Sequence, residues 1–264
     1  MIDIRGVTIC FNQGTPDERR ALDGISLSIP QGQFVTVIGS NGAGKSTLLN
    51  TLSGDLRPLE GQVLIDGIDV TAWPGHRRAP LVARVFQDPL AGTCDTLTVE
   101  ENLALAASRG ITRGLGRATG PALRARAREQ LARLGLGLED RLNDRIGLLS
   151  GGQRQVVSLV MAAMMPMKLL LLDEHTAALD PRTAQFVLRL TDEIVGRDGL
   201  TTMMVTHSMR QALDHGSRTL MMHEGRIALD VAGEARAGMD VPDLLALFGR
   251  ARAEMFADDA LLLA

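Results

Sequence analysis

The stretch G-S-N-G-A-G-K-S-T, residues 39–47, constrains this chain more than any other. It follows the short β-rich run Phe34–Ile38 and precedes Ser46-Thr-Leu-Leu-Asn-Thr-Leu52, which reads as a helix closed by Gly54. A glycine-rich loop between strand and helix lets successive backbone N–H groups converge on one anion, and the helix adds the positive end of its dipole. The pattern G-x-x-x-x-G-K-S therefore predicts a phosphate-binding loop, with Gly39, Ser40, Asn41, Gly42, Ala43, Gly44, Lys45, Ser46 and Thr47 around the phosphates. Composition sharpens this reading. Of 28 basic residues, only Lys45 and Lys168 are lysines. A compact ammonium reaches phosphate oxygens where a planar guanidinium fits poorly, so geometry demands the lysine at 45. The Ser46 hydroxyl is then the expected ligand of a Mg²⁺ ion held against the phosphates.

Such an ion also needs a carboxylate. Lys168-Leu-Leu-Leu-Leu-Asp173-Glu174 supplies one at the end of four consecutive leucines, a run expected for a strand buried on both faces of a parallel sheet. Ligands bind at the carboxyl ends of such strands. Asp173 is expected to hold Mg²⁺, directly or through water, and Glu174 to polarise an attacking water as general base.

With 264 residues and 45% hydrophobic content, the chain can bury one large core or two smaller ones. A net charge of −3 makes no case for nucleic acid as a partner. No apolar run approaches the roughly 20 residues that a membrane-spanning helix requires, so the chain reads as soluble. The opening M-I-D-I-R-G-V lacks the profile of a signal peptide, and Cys10 and Cys94 have no metal-ligand spacing. A reducing, cytoplasmic setting is expected.

Leu149-Ser150-Gly151-Gly152-Gln153 opens a further apolar helix that ends before Pro166. Taken with the phosphate loop and the Asp-Glu strand, it resembles the signature L-S-G-G-Q of the ATP-binding-cassette (ABC) ATPases, and the resemblance covers nearly the whole chain. It implies an α/β fold: a P-loop NTPase core with an antiparallel β subdomain and an inserted α-helical subdomain, here about residues 96–165. It implies ATP and Mg²⁺ as cofactors and ATP hydrolysis as the activity. Ser150, Gly151, Gly152 and Gln153 would bind the γ-phosphate of a nucleotide held by a second ABC ATPase subunit, and a homodimer is expected. Gln87, in V-F-Q-D-P, matches the Q-loop that links metal and water to a membrane partner. Asp180 matches the D-loop and also reads as the N-cap of the helix opened by Pro181. His207, in V-T-H-S, matches the switch histidine near the γ-phosphate. Phe11 is the candidate adenine-stacking ring in a chain without tyrosine, with a core position as its alternative. His76, His215 and His223 carry no such match.

The rest of the chain fits this organisation. Strand-like stretches at 2–11, 25–29 and 34–38 precede a hairpin signal at Val63–Val70 with Asp66-Gly67 at its turn. Phe186, Leu190 and Ile194 share one helix face. The tail from Asp240 reads as an amphipathic helix packed on the core, so that residues 1–239 form one ABC ATPase domain followed by a helical tail, 240–264. Between Ser108 and Arg133, seven arginines face one acid, which suits either a solvated face or contact with anionic lipid headgroups.

His175 replaces the proline common after the two acids. D-E-H-T-A-A-L-D-P resembles a bacterial importer subgroup associated with tryptophan- and tyrosine-type uptake, which would pair the chain with an integral membrane permease and, indirectly, a periplasmic substrate-binding protein. A soluble ABC-type ATPase acting as an assembly or scaffold factor is the alternative.

Overall fold

Apolar residues along I-D-I-R-G-V-T-I-C-F fall mostly on one face, and strand β1, Ile2–Phe11, buries Ile2, Ile4, Val7 and Ile9. Strand β2, Arg19–Ile29, starts well before its apolar stretch at 25–29. Its first residues, Arg19 and Arg20, are exposed, and they are strand because they pair with Phe11 and Cys10 of β1. β3, Phe34–Gly39, leads through the glycine loop into α1, Lys45–Ser53. Gly54 ends α1 with a left-handed φ of 88°. β4, Glu60–Ile65, turns into β5, Ile68–Asp69, through Asp66 and Gly67, both at positive φ as a two-residue hairpin turn requires. The antiparallel sheet runs β2-β1-β4-β5.

The computed structural model describes residues 1–111, 114 and 116–262, with side chains to residue 251. The chain divides into two units, one formed by Met1–Gly75 with Thr201–Ala264 and the other by His76–Leu200. A short helix, α2, Gly75–Arg78, starts at the division.

The second unit carries β6, Val82–Val85, then α3, Val99–Ala107, α4, Pro121–Ala132, and α5, Gly151–Ala163. The region expected to be helical, 96–165, lies inside it. β7, Leu169–Asp173, runs parallel to β6 with Arg84 opposite Leu171, and Leu169, Leu170, Leu171 and Leu172 are all buried. α6, Pro181–Asp198, buries Leu190 and Ile194 and half-buries Phe186 on its inner face.

The arginine-rich segment is in large part a solvated face, with Arg117, Arg126, Arg128 and Arg133 exposed, while Arg109 and Arg124 are half-buried; Arg113 lies outside the described residues. Arg109 donates to the Ala162 and Met165 carbonyls at 3.2 and 3.0 Å, and Arg126 to that of Met164. Guanidinium groups thus gather at the negative end of α5, where cations are favoured. Arg124 reaches Glu100 and Asn143, both at 2.8 Å. Burial holds Arg109 below its ordinary pKa.

The first unit resumes with β8, Thr202–Val205, α7, Met209–Asp214, β9, Arg218–His223, β10, Arg226–Ala232, and α8, Val241–Leu262. β3 lies between β8 and β9, parallel to both, and β10 is antiparallel to β9. On α8, Leu244 is buried against Ile38, Ala212, Met221 and Val231, and Phe248 meets the His223 ring edge-on. Among the described residues, no helix is long and apolar enough to cross a membrane.

Candidate functional site

In the first unit the glycine loop leaves β3 at Gly39, and α1 begins at Lys45. Glycine is required at both ends of the loop. A Cβ at Gly39 would collide with the Met222 carbonyl, and one at Gly44, whose φ is 102°, would lie 2.5 Å from the Ala21 carbonyl. Lys45 is buried, and its Nζ donates to the carbonyls of Gly39 at 2.8 Å and Ser40 at 2.9 Å. The loop therefore winds around its own lysine. Gly44 gives α1 no side-chain cap, so the helix start presents backbone N–H groups rather than a capping oxygen. Ser40, Asn41, Gly42 and Ser46 are exposed, Thr47 is half-buried and Ala43 is buried.

His207 belongs to the same unit. Val37 of β3 pairs with Val205 of the parallel strand β8, so the glycine loop and the His207 segment leave neighbouring strand ends. Thr206 N–H donates to the Val37 carbonyl at 3.1 Å, and Ser208 caps α7 through Gln211. These two anchors hold His207 exposed between them. Phe11 is 39% exposed at the end of β1, which removes the core alternative. Opposite it, Arg19 donates Nη2 to the Gly42 carbonyl at 2.8 Å. The sequence reading missed Arg19, because only the β1–β2 register brings it to the loop.

The second unit holds the remaining residues. Ser150 caps α5 with a reciprocal box: Gln153 N–H donates to Ser150 Oγ, and Ser150 N–H to Gln153 Oε1, both at 3.2 Å. Accepting that bond leaves the Ser150 hydroxyl proton available for an outside oxygen. Gly152 is required because a Cβ there would strike Thr183 at the start of α6, and Gly151 lies close to Leu179. Asp180 caps α6 by accepting from the N–H groups of Arg182 and Thr183 at 3.2 and 3.1 Å. Hydrogen bonds from the Thr183 side chain and backbone, in that order, hold its carboxyl below the usual range.

Asp173 ends β7, where its Oδ2 accepts from Arg84 Nη2 at 2.6 Å. Glu174 follows with a φ of 45°, left-handed for a residue that is not glycine, a conformation held only where the surroundings impose it. Next to it, His175 is buried and its Nε2 lies 3.1 Å from Thr191 Oγ1 on α6. That contact ties the segment after the two acids to α6. Gln87 is exposed just beyond β6. Gln155, buried on α5, donates Nε2 to the Phe86 carbonyl at 3.3 Å and so ties the signature helix to the strand before Gln87. Neither Arg84 nor Gln155 was singled out from the sequence.

Among the described residues, no group of three His, Cys, Asp or Glu side chains could hold a metal by itself. One hydroxyl, Ser46, and one carboxylate, Asp173, are donors of the kind Mg²⁺ takes when it arrives with phosphate oxygens. Each, in its own unit, is an oxygen donor of the kind that ion accepts, and the Asp173 carboxylate accepts from the Arg84 guanidinium.

Comparison with known proteins agrees with this chemistry. The ABC transporter family model matches residues 22–177. The chain is 40% identical over 251 residues to a tyrosine transport ATP-binding protein of Clostridioides difficile, covering 94% of this chain and 98% of that protein. It is 36% identical over 203 residues to a thiamine import ATP-binding protein of Shigella flexneri, covering 77% and 82%. Among solved structures, it is similar to a dimeric ATP-binding cassette in a post-hydrolysis state bound to ADP and Pi. That likeness has a TM-score of 0.75 at 31% identity, over 88% of this chain and 98% of that one. The chain belongs to the ABC transporter family, as an ATP-binding subunit that hydrolyses ATP.

Proposed function

We propose that this subunit drives import of amino acids or similar small solutes, working as a dimer of identical cassettes on a separate integral membrane permease. The observation that carries this reading is the match along nearly the whole of both chains to a tyrosine transport ATP-binding protein. The likeness to a dimeric cassette supports the pairing. The chain would lie on the cytoplasmic face of the membrane and meet a periplasmic substrate-binding protein only through the permease. Nucleic acid is not a partner in this reading.

Each residue then has a task. The loop from Gly39 to Thr47 and the Lys45 ammonium bind the β- and γ-phosphates, and the exposed Phe11 ring stacks on adenine. Ser46 and Asp173 would hold Mg²⁺, with Gln87 beside it, and the ion would supply charge neutralisation on the transferring phosphoryl group. Glu174 takes a proton from the attacking water, and its left-handed backbone sets the direction in which its side chain leaves the chain. His207 donates to the γ-phosphate. Ser150, Gly151, Gly152 and Gln153 of one cassette bind the γ-phosphate of the other's nucleotide, and Asp180 keeps the segment after Glu174 anchored as a helix cap.

The test uses tagged Glu174→Gln protein in membranes extracted with mild detergent, ATP and Mg²⁺. A multi-span permease should co-purify. Recovery of soluble partners alone, while other transporters survive extraction, would overturn the importer reading in favour of a scaffold ATPase.

A further inference from the structure

We propose that Arg84 is a positioning residue that occupies Asp173 until a divalent cation displaces it, and that its release loosens the segment leading to Gln87. The proposal rests on the reading of Asp173 as a metal ligand.

Arg84 lies in β6 opposite Leu171, so its side chain reaches the carboxylate that closes β7. Nη2 and Oδ2 are 2.6 Å apart, and the two side chains are only 11% and 13% exposed. A pair so shielded is not the weak, screened ion pair of a protein surface. A guanidinium and a divalent ion on one carboxylate also compete for the same lone pairs and repel each other. Arg84 has somewhere else to go. Its guanidinium carbon is 4.7 Å from the centre of the Phe86 ring, a cation–π partner that stays available after the carboxylate is given up.

Displacement would not remain local. Arg84, Phe86 and Gln87 lie along one short run of backbone, and the Phe86 carbonyl accepts from Gln155 of the signature helix. Arrival of a cation at Asp173 is thereby linked to the Q-loop on one side and to α5 on the other. Sequence alone hides this link, since Arg84 and Asp173 stand 89 residues apart.

The test is Mn²⁺ binding to the full chain in the presence of ADP, followed by electron paramagnetic resonance. Arg84→Gln keeps a donor for Asp173 and removes the charge, so it should bind Mn²⁺ about tenfold more tightly than wild type. Arg84→Lys keeps a positive charge beside Asp173 and should stay closer to wild type than Arg84→Gln does. Equal or weaker Mn²⁺ binding by folded Arg84→Gln protein would overturn the proposal. Should Arg84→Gln fail to fold, the wild-type chain decides: adding Mn²⁺ to the ADP-loaded protein should speed amide exchange at residues 84–87, and unchanged exchange refutes release. Asp173→Asn separates this idea from the reading beneath it. Loss of Mn²⁺ binding there with no effect of Arg84→Gln removes only the latch, whereas retained binding removes the metal assignment as well.

Discussion

Lys45 holds its ammonium 2.8 Å from the Gly39 carbonyl and 2.9 Å from that of Ser40, so the loop is shaped around a cation before any phosphate arrives. Lys45→Ala should therefore weaken ATP binding itself, by about tenfold or more, since a charge-assisted hydrogen bond is worth ~1.5–3 kcal/mol. Lys45→Arg should not restore it, because the wider planar head cannot sit between those two carbonyls. Equilibrium titration with a fluorescent ATP analogue measures both, and unchanged affinity in Lys45→Ala would remove the loop from phosphate binding. This residue was legible because a lysine is so rare in the chain and because its neighbours are glycines between a strand and a helix. Arg19, Arg84 and Gln155 were not. Each acts through a partner distant in sequence, at separations of 23, 89 and 69 residues, and nothing in its local pattern announces that partner.

At the level of elements, the four leucines of β7 read correctly as a strand because both faces are covered, which permits no alternation. Leu171 is fully buried beside β6. Leu171→Ala should cost about 2–5 kcal/mol, the range for truncating a buried leucine, and should lower the midpoint of urea unfolding followed by circular dichroism. A loss under ~1 kcal/mol would mean the strand packs less tightly than its burial implies. The start of β2 was illegible for the opposite reason. Arg19 and Arg20 carry no apolar signal, and only pairing with β1 makes them strand. The arginine-rich segment is legible in part, because Arg117, Arg126, Arg128 and Arg133 are solvated as a charge run normally is. What the run does not announce is that Arg109 and Arg126 donate to the last carbonyls around α5.

For the whole molecule, the proposed dimer would bring the signature residues of one cassette to the nucleotide of the other. Ser150 accepts from Gln153 N–H in capping its own helix, which leaves its hydroxyl proton to donate to an outside oxygen. Glu174→Gln protein with ATP and Mg²⁺ should therefore accumulate as a species of twice the monomer mass in size-exclusion light scattering, and the dimer should disperse when ATP is withdrawn. A persistent monomer under those conditions would count against the sandwich arrangement.

The way α5 is fastened also has a mechanical consequence. Arginines bolt its tail, Gln155 ties its first turns to the Phe86 carbonyl just beyond β6, and at its tip the capping box is joined by Arg141 on Gln153 and by Arg154 on the carbonyls of Ile146, Gly147 and Leu149. A rod held at its tail, in its first turns and at its tip has no loose end about which to swing. A displacement of the segment before Gln87 would then be felt at Ser150 through Gln155, and a push on Ser150 would be felt at that segment.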